Sequence, residues 1–148
     1  MASNPLIAQG TLNRLRGSVV VTNIPNLTVT APYLGKAGIS LALQGVATTY
    51  IDTMTGSVTA PEPYQLVTVV ISTLKTNGIA ALWKTQMENT TLLGDIVVSS
   101  DTLAFPSYKL VNCAIESVAD MAFNGTTAEV AITVKGIYNI NNDLWNLV

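Results

Sequence analysis

The chain contains no histidine and a single cysteine, Cys113. The side chain that most often moves protons near neutral pH and binds transition metals is therefore missing. Cys113 can form no intrachain disulfide and no thiolate metal cluster. A catalytic thiolate needs a base or a cation beside it, whereas Cys113 lies in a regular apolar alternation with Val111 and Ile115. It reads as a small buried hydrophobe. Hydrolysis would then fall to paired carboxylates, the groups that cleave glycosidic bonds, and the nearest pairs are Asp52 with Glu62 and Asp95 with Asp101. Neither pair belongs to a recognisable motif, and nine scattered acids always offer some pair. The N-x-T triplets at Asn26, Asn89 and Asn124 are about as many as chance gives in a chain this rich in Asn and Thr. No glycine pattern that cradles phosphate occurs. The expectation is a chain without catalytic, cofactor-binding or metal-ligating residues, and not an enzyme.

Composition points elsewhere. Of 148 residues, 49% are hydrophobic and 11% charged, where soluble monomers carry charge at about a quarter of positions. Apolar surface of that extent marks interaction sites, so the chain reads as a self-associating structural subunit. The longest charge-free stretch, Gly17 to Gly35, is broken by Pro25 and Pro32 and is no membrane helix. No basic residue and apolar core mark a secretory leader in Met1 to Gly10. A formal net charge of -2 with scattered basic residues gives no nucleic-acid groove.

The elements that position these residues are mostly strands, within one domain spanning residues 1–148. Period-two alternation recurs in Leu27, Val29 and Ala31, in Val67, Val69 and Ile71, in Val111, Cys113 and Ile115, and in Val130, Ile132 and Val134. Asn124-Gly125 marks a turn between the last two runs. Ile79, Leu82, Trp83 and Met87 recur at helical spacing and predict one amphipathic helix over about 77–89, capped by Thr76 or Asn77. Its Lys84 and Glu88 face is a candidate surface for an outer partner. Residues 45–64, rich in Thr, Gly, Ser and Pro, predict a long hairpin or loop with Asp52, Met54 and Glu62 as its distinctive side chains. Loops of this length are uncommon unless they bind something. Trp145 and Leu147 near the C-terminus predict a terminal arm that docks.

This order of features resembles the tail tube proteins of bacteriophages with contractile tails. It is carried by a strand pair around Gly17 to Ala31, a turn at Leu34-Gly35-Lys36, the 45–64 excursion, the strand Gln65 to Leu74, the helix from Asn77 to Lys84, Leu93-Gly94-Asp95 and a final antiparallel pair. The resemblance implies a small antiparallel β-barrel or sandwich with one flanking helix. Six copies would form a ring by joining sheets around a channel, and rings would stack into a tube through which DNA passes without specific binding. It places Asp52, Met54 and Glu62 at the contact with the next ring, Glu116, Asp120 and Glu129 along the channel, and Lys84 and Glu88 towards the sheath. Sheath, baseplate and tail terminator proteins are the implied partners. The implied setting is the virion tail, assembled in the host cytoplasm without stable membrane association. The alternatives are the tube of a bacterial contractile injection or secretion system, and a monomeric ligand-binding β-barrel.

Overall fold

Alternating apolar stretches become strands because a half-buried sheet needs every second side chain on one face. The computed structural model describes residues 10, 15–102, 104–118 and 123–145. Among them are β1 (Gly17–Val21), β2 (Leu34–Gln44), β3 (Thr48–Asp52), β4 (Ser57–Pro61), β5 (Tyr64–Leu74), the helix α1 (Ile79–Asn89), β6 (Leu92–Ser100), β7 (Tyr108–Val118), β8 (Glu129–Asn139) and the helical turn α2 (Asn142–Trp145). Six strands form one antiparallel sheet in the order β1-β6-β7-β8-β5-β2, while β3 and β4 pair only with each other. The fold is thus mainly β, a curled antiparallel half-barrel with one flanking helix, in the class expected from the sequence.

The inner face of the sheet carries Val19, Val21, Val67, Val69, Ile71, Ile96, Val98, Leu110, Cys113, Ile115, Ile132 and Val134, all buried. The helix α1 closes this face with Ile79 and Trp83, beside Leu27 and Val29. Fully burying a side chain of this size contributes roughly 1.5–3 kcal/mol.

Three residues with positive φ bend the strands. Gly38 (φ 64) lies in a bulge of β2, Gly94 (φ 79) in β6 and Asn112 (φ 52) in β7, each where the pairing register shifts. Bulges of this kind bend a strand and increase its twist. The β7 bulge corrects one expectation: Leu110, Cys113 and Ile115 face the core, while Val111 is displaced outwards opposite Ile137. Gly136 makes room for this, since a Cβ there would lie 2.5 Å from Cys113 Sγ and 3.3 Å from Leu110 Cβ.

Other expectations also need correction. Leu27 and Val29 are buried as the alternation predicts, but the segment is a 3-10 turn at Pro25–Leu27, one bridge at Val29 and a second 3-10 turn at Ala31–Tyr33. Pro25 and Pro32 fix φ and remove ladder donors, which prevents a continuous strand. Leu34-Gly35-Lys36 opens β2 and is not a turn. The helix begins at Ile79 behind a 3-10 turn, Lys75–Asn77, and its N-cap is Gly78 at φ 71, which makes no side-chain capping bond. Leu82 is 47% exposed and off the buried stripe. Within residues 45–64, by contrast, the chain forms a hairpin, one of the two expected forms, in β3 and β4.

Gly136→Ala is expected to destabilise the protein by about 1–3 kcal/mol through overpacking. Adding Cys113→Ala should return part of that loss. Thermal melts of the two variants check both effects.

Candidate assembly surfaces

The β3–β4 hairpin forms an arm whose base is tied and whose body is exposed. Its strands pair from Thr48 with Pro61 to Asp52 with Ser57, and the Thr53 N–H donates to the Gly56 carbonyl at 2.8 Å to close the turn. At the base, the Glu62 N–H donates to Ala47 O at 3.0 Å and the Ile140 N–H to Pro63 O at 3.1 Å. The Asn141 carboxamide donates to Glu62 O at 2.8 Å and, at longer reach, to Ala47 O at 3.4 Å. Asn141 holds a left-handed φ of 52, a conformation that Asn tolerates better than most residues. Beyond this clamp Tyr50, Ile51 and Val58 are more than half exposed and Met54 is fully exposed. An isolated two-stranded hairpin is at best marginal in water, so these apolar side chains call for a partner.

A second surface is the seam between the sheet edges. On its outer side β1 is covered where Val19 and Val29 exchange two N–H···O bonds of 2.8 Å. Strand β2 has only β5 beside it, so its other edge is unpaired among the described residues. The edges nearly meet at Gly17, where a Cβ would lie 3.2 Å from Ile39 Cδ1. A groove of about 350 Å³ runs along this seam, walled by Leu15, Ile39, Leu41, Val98, Phe105 and Tyr108. Beside it, Arg16 Nε donates to Asp101 Oδ2 at 2.6 Å. That bond, with the Arg16 backbone N–H, holds the Asp101 carboxyl below the usual carboxylate range.

The candidate carboxylate pairs do not converge. Asp52 stands towards the tip of the arm opposite Ser57, while Glu62 sits at the base and accepts from Thr49 Oγ1 at 2.8 Å. Asp95 lies within β6 and Asp101 beyond its end, paired with Arg16. Cys113 is buried, and desolvation, then the charge of Asp95, push its thiol up to about 12.

Of the channel candidates, Glu116 lies on the outer face of the sheet, 3.5 Å from Lys135 Nζ. Glu129 accepts the Lys36 backbone N–H at 2.7 Å and occupies the space a Cβ on Gly35 would need. It braces the β2 bulge. Asp120 and Leu147 lie outside the described residues, as does the side chain of Trp145. Lys84 and Glu88 form an exposed ion pair one helical turn apart. The groove, the Arg16–Asp101 pair and the Asn141 clamp were not anticipated from the sequence. Period two in Ile39, Leu41 and Leu43 was the one available signal for β2.

No family model matches the chain, and no curated protein matches it. Among solved structures, the fold is similar to the tube terminating cap of the anti-feeding prophage, determined by cryo-EM. The TM-score is 0.54 at 18% identity, covering 93% of this chain and 97% of that one.

Asn141→Ala should leave the core intact and loosen the arm. Removing the bonds and straining the left-handed position is expected to cost about 1–2 kcal/mol, with faster proteolysis within residues 47–63 as the readout. Cys113 should resist iodoacetamide at pH 8 in the folded protein and react in denaturant, as mass spectrometry would show.

Proposed function

We propose that this chain is a structural, non-enzymatic subunit of a contractile tail or injection machine, built into its tube by association with copies of itself. The observation that carries this reading is the likeness, over nearly the whole of both chains, to a protein described as a tube terminating cap. The unpaired β2 edge and the exposed arm support it, because neighbouring copies would satisfy the one and bury the other. Sparse charge follows from the same use. A chain with most of its edges and apolar faces covered by copies of itself has little surface left to keep soluble.

In the full form of this reading, six copies close a ring, rings stack, and the tube conducts DNA from a phage virion assembled in the host cytoplasm. Sheath, baseplate and terminator proteins would be its neighbours. DNA binding draws its strength from Lys and Arg that neutralise phosphates, and a conduit benefits from lacking them. The chain has seven basic residues in all, and on the outer sheet face Lys135 is offset by Glu116. The tube of a bacterial injection system would use the same surfaces. The cap itself supplies a further reading, in which the chain closes a tube instead of extending it. A ligand-binding barrel has less support, because Val67, Val69, Ile71, Trp83, Leu110 and Val134 fill the interior.

The test is the mass of the purified chain by light scattering, with negative-stain images of the same fractions. Stacked rings or hollow tubes are expected for a tube subunit, and single rings that do not stack for a cap. A monodisperse monomer at every concentration would overturn both.

A further inference from the structure

The arm and the seam groove lie at opposite ends of the same edge strand. The groove is walled by the first half of β2, from Lys36 to Leu41, and the arm leaves the chain just after Gln44. At a rise of about 3.3 Å per residue the middle of the groove wall, at Ile39, lies about 16 Å along the strand from Gln44. The geometry points to a head-to-tail contact in which the β3–β4 tip of one copy seats in the β1/β2 groove of a second copy, with Asp52 of the arm facing Lys36 of the groove.

Shape and charge agree. The arm offers an apolar tip in Ile51, Met54 and Val58, and the groove offers apolar walls in Ile39, Leu41, Val98 and Phe105. The only charged residues between Lys36 and Lys75 are Asp52 and Glu62, both acidic. The groove and its continuation towards Leu74 carry the side chains of Lys36 and Arg16, with Asp101 bonded to Arg16 and Glu129 bonded to the Lys36 backbone N–H at their margin. Arg16 is already paired with Asp101, whereas Lys36 forms no ion pair among the described residues. The Lys36 ammonium is thus available to Asp52, while Glu129 stays engaged by the Lys36 backbone N–H. A contact that joins one end of a subunit to the opposite end of the next is heterologous, so it extends into a filament or closes into a ring, of which reciprocal exchange between two copies is the smallest. This inference rests on the self-assembly reading and names the surface that receives the arm.

The experiment mixes full-length Met54→Cys and Ala37→Cys chains under assembling conditions, followed by mild oxidation. The buried Cys113 serves as an internal bystander. Disulfides between positions 54 and 37 are expected to dominate over like pairs. Separately, Asp52→Lys or Lys36→Asp alone should raise the concentration for half-assembly about two- to tenfold, and the two reversals combined in one chain should bring it back. Particles that assemble without 54–37 disulfides, or with 54–54 disulfides in excess, would overturn the inference and leave the assembly reading standing. A chain that never assembles removes both.

Discussion

Backbone groups on a strand edge have to be paired, covered or left to water, and this sheet meets that constraint unequally on its two sides. The left-handed residues at Gly38, Gly94 and Asn112 bend three strands and curl six of them until the edges approach at Gly17 and Ile39. They stop short of a ladder. One edge is finished internally, by Val29 on β1. The other, β2, is finished by nothing among the described residues. A long edge left open would be an aggregation hazard in a monomer, and natural sheets blunt such edges with charge, proline or bulges; the β2 bulge at Gly38 leaves residues 39–44 without any of these. Along β2 the only charged residue is Lys36, at its bulged start.

The same economy governs the arm. Its base is fixed by ties from Asn141 and Ile140 to Glu62, Ala47 and Pro63, so the C-terminal end of β8 and the turn after it set the direction in which the hairpin projects. A clamped arm has less freedom to lose on docking, which favours association without any added contact. Its exposed Tyr50, Ile51, Met54 and Val58 make sense as surface waiting for a neighbour. Charge plays a secondary part, since the ion pairs of Arg16 with Asp101, Lys84 with Glu88 and Lys135 with Glu116 are all at the surface, where such pairs contribute roughly 0–1 kcal/mol.

Much of this architecture is legible in the sequence because burial alternates with period two. The core positions of β5 and β8 follow directly from Val67, Val69, Ile71, Val130, Ile132 and Val134. The reading failed where local backbone chemistry overrides the period. At Asn112 a left-handed residue shifts β7 by one position and exchanges Val111 for Leu110 in the core. At Pro25 and Pro32 two 3-10 turns replace a strand although Leu27 and Val29 keep their buried places. The helix starts later than the spacing predicts because the left-handed Gly78, which supplies no side-chain capping bond, separates the 3-10 turn Lys75–Asn77 from Ile79 and leaves neither Thr76 nor Asn77 at the cap. The groove could not be read at all, since it is made by strands far apart in sequence whose approach depends on the sum of the bulges. The candidate residues of the 45–64 segment were found because a long polar stretch carrying Met54 is unusual. Its ties to Asn141 and Ile140 join residues far apart in sequence, which no local pattern marks.

In the proposed assembly the β2 edge is covered by another copy. Amide hydrogen exchange, followed by mass spectrometry below and above the concentration of assembly, tests this directly. Peptides covering Leu34–Gln44 are expected to exchange fast in the dilute chain and to become strongly protected in the assembled one, while peptides from β5 and β8 change little. Assembled particles in which Leu34–Gln44 still exchanges as fast as in the dilute chain would contradict that coverage.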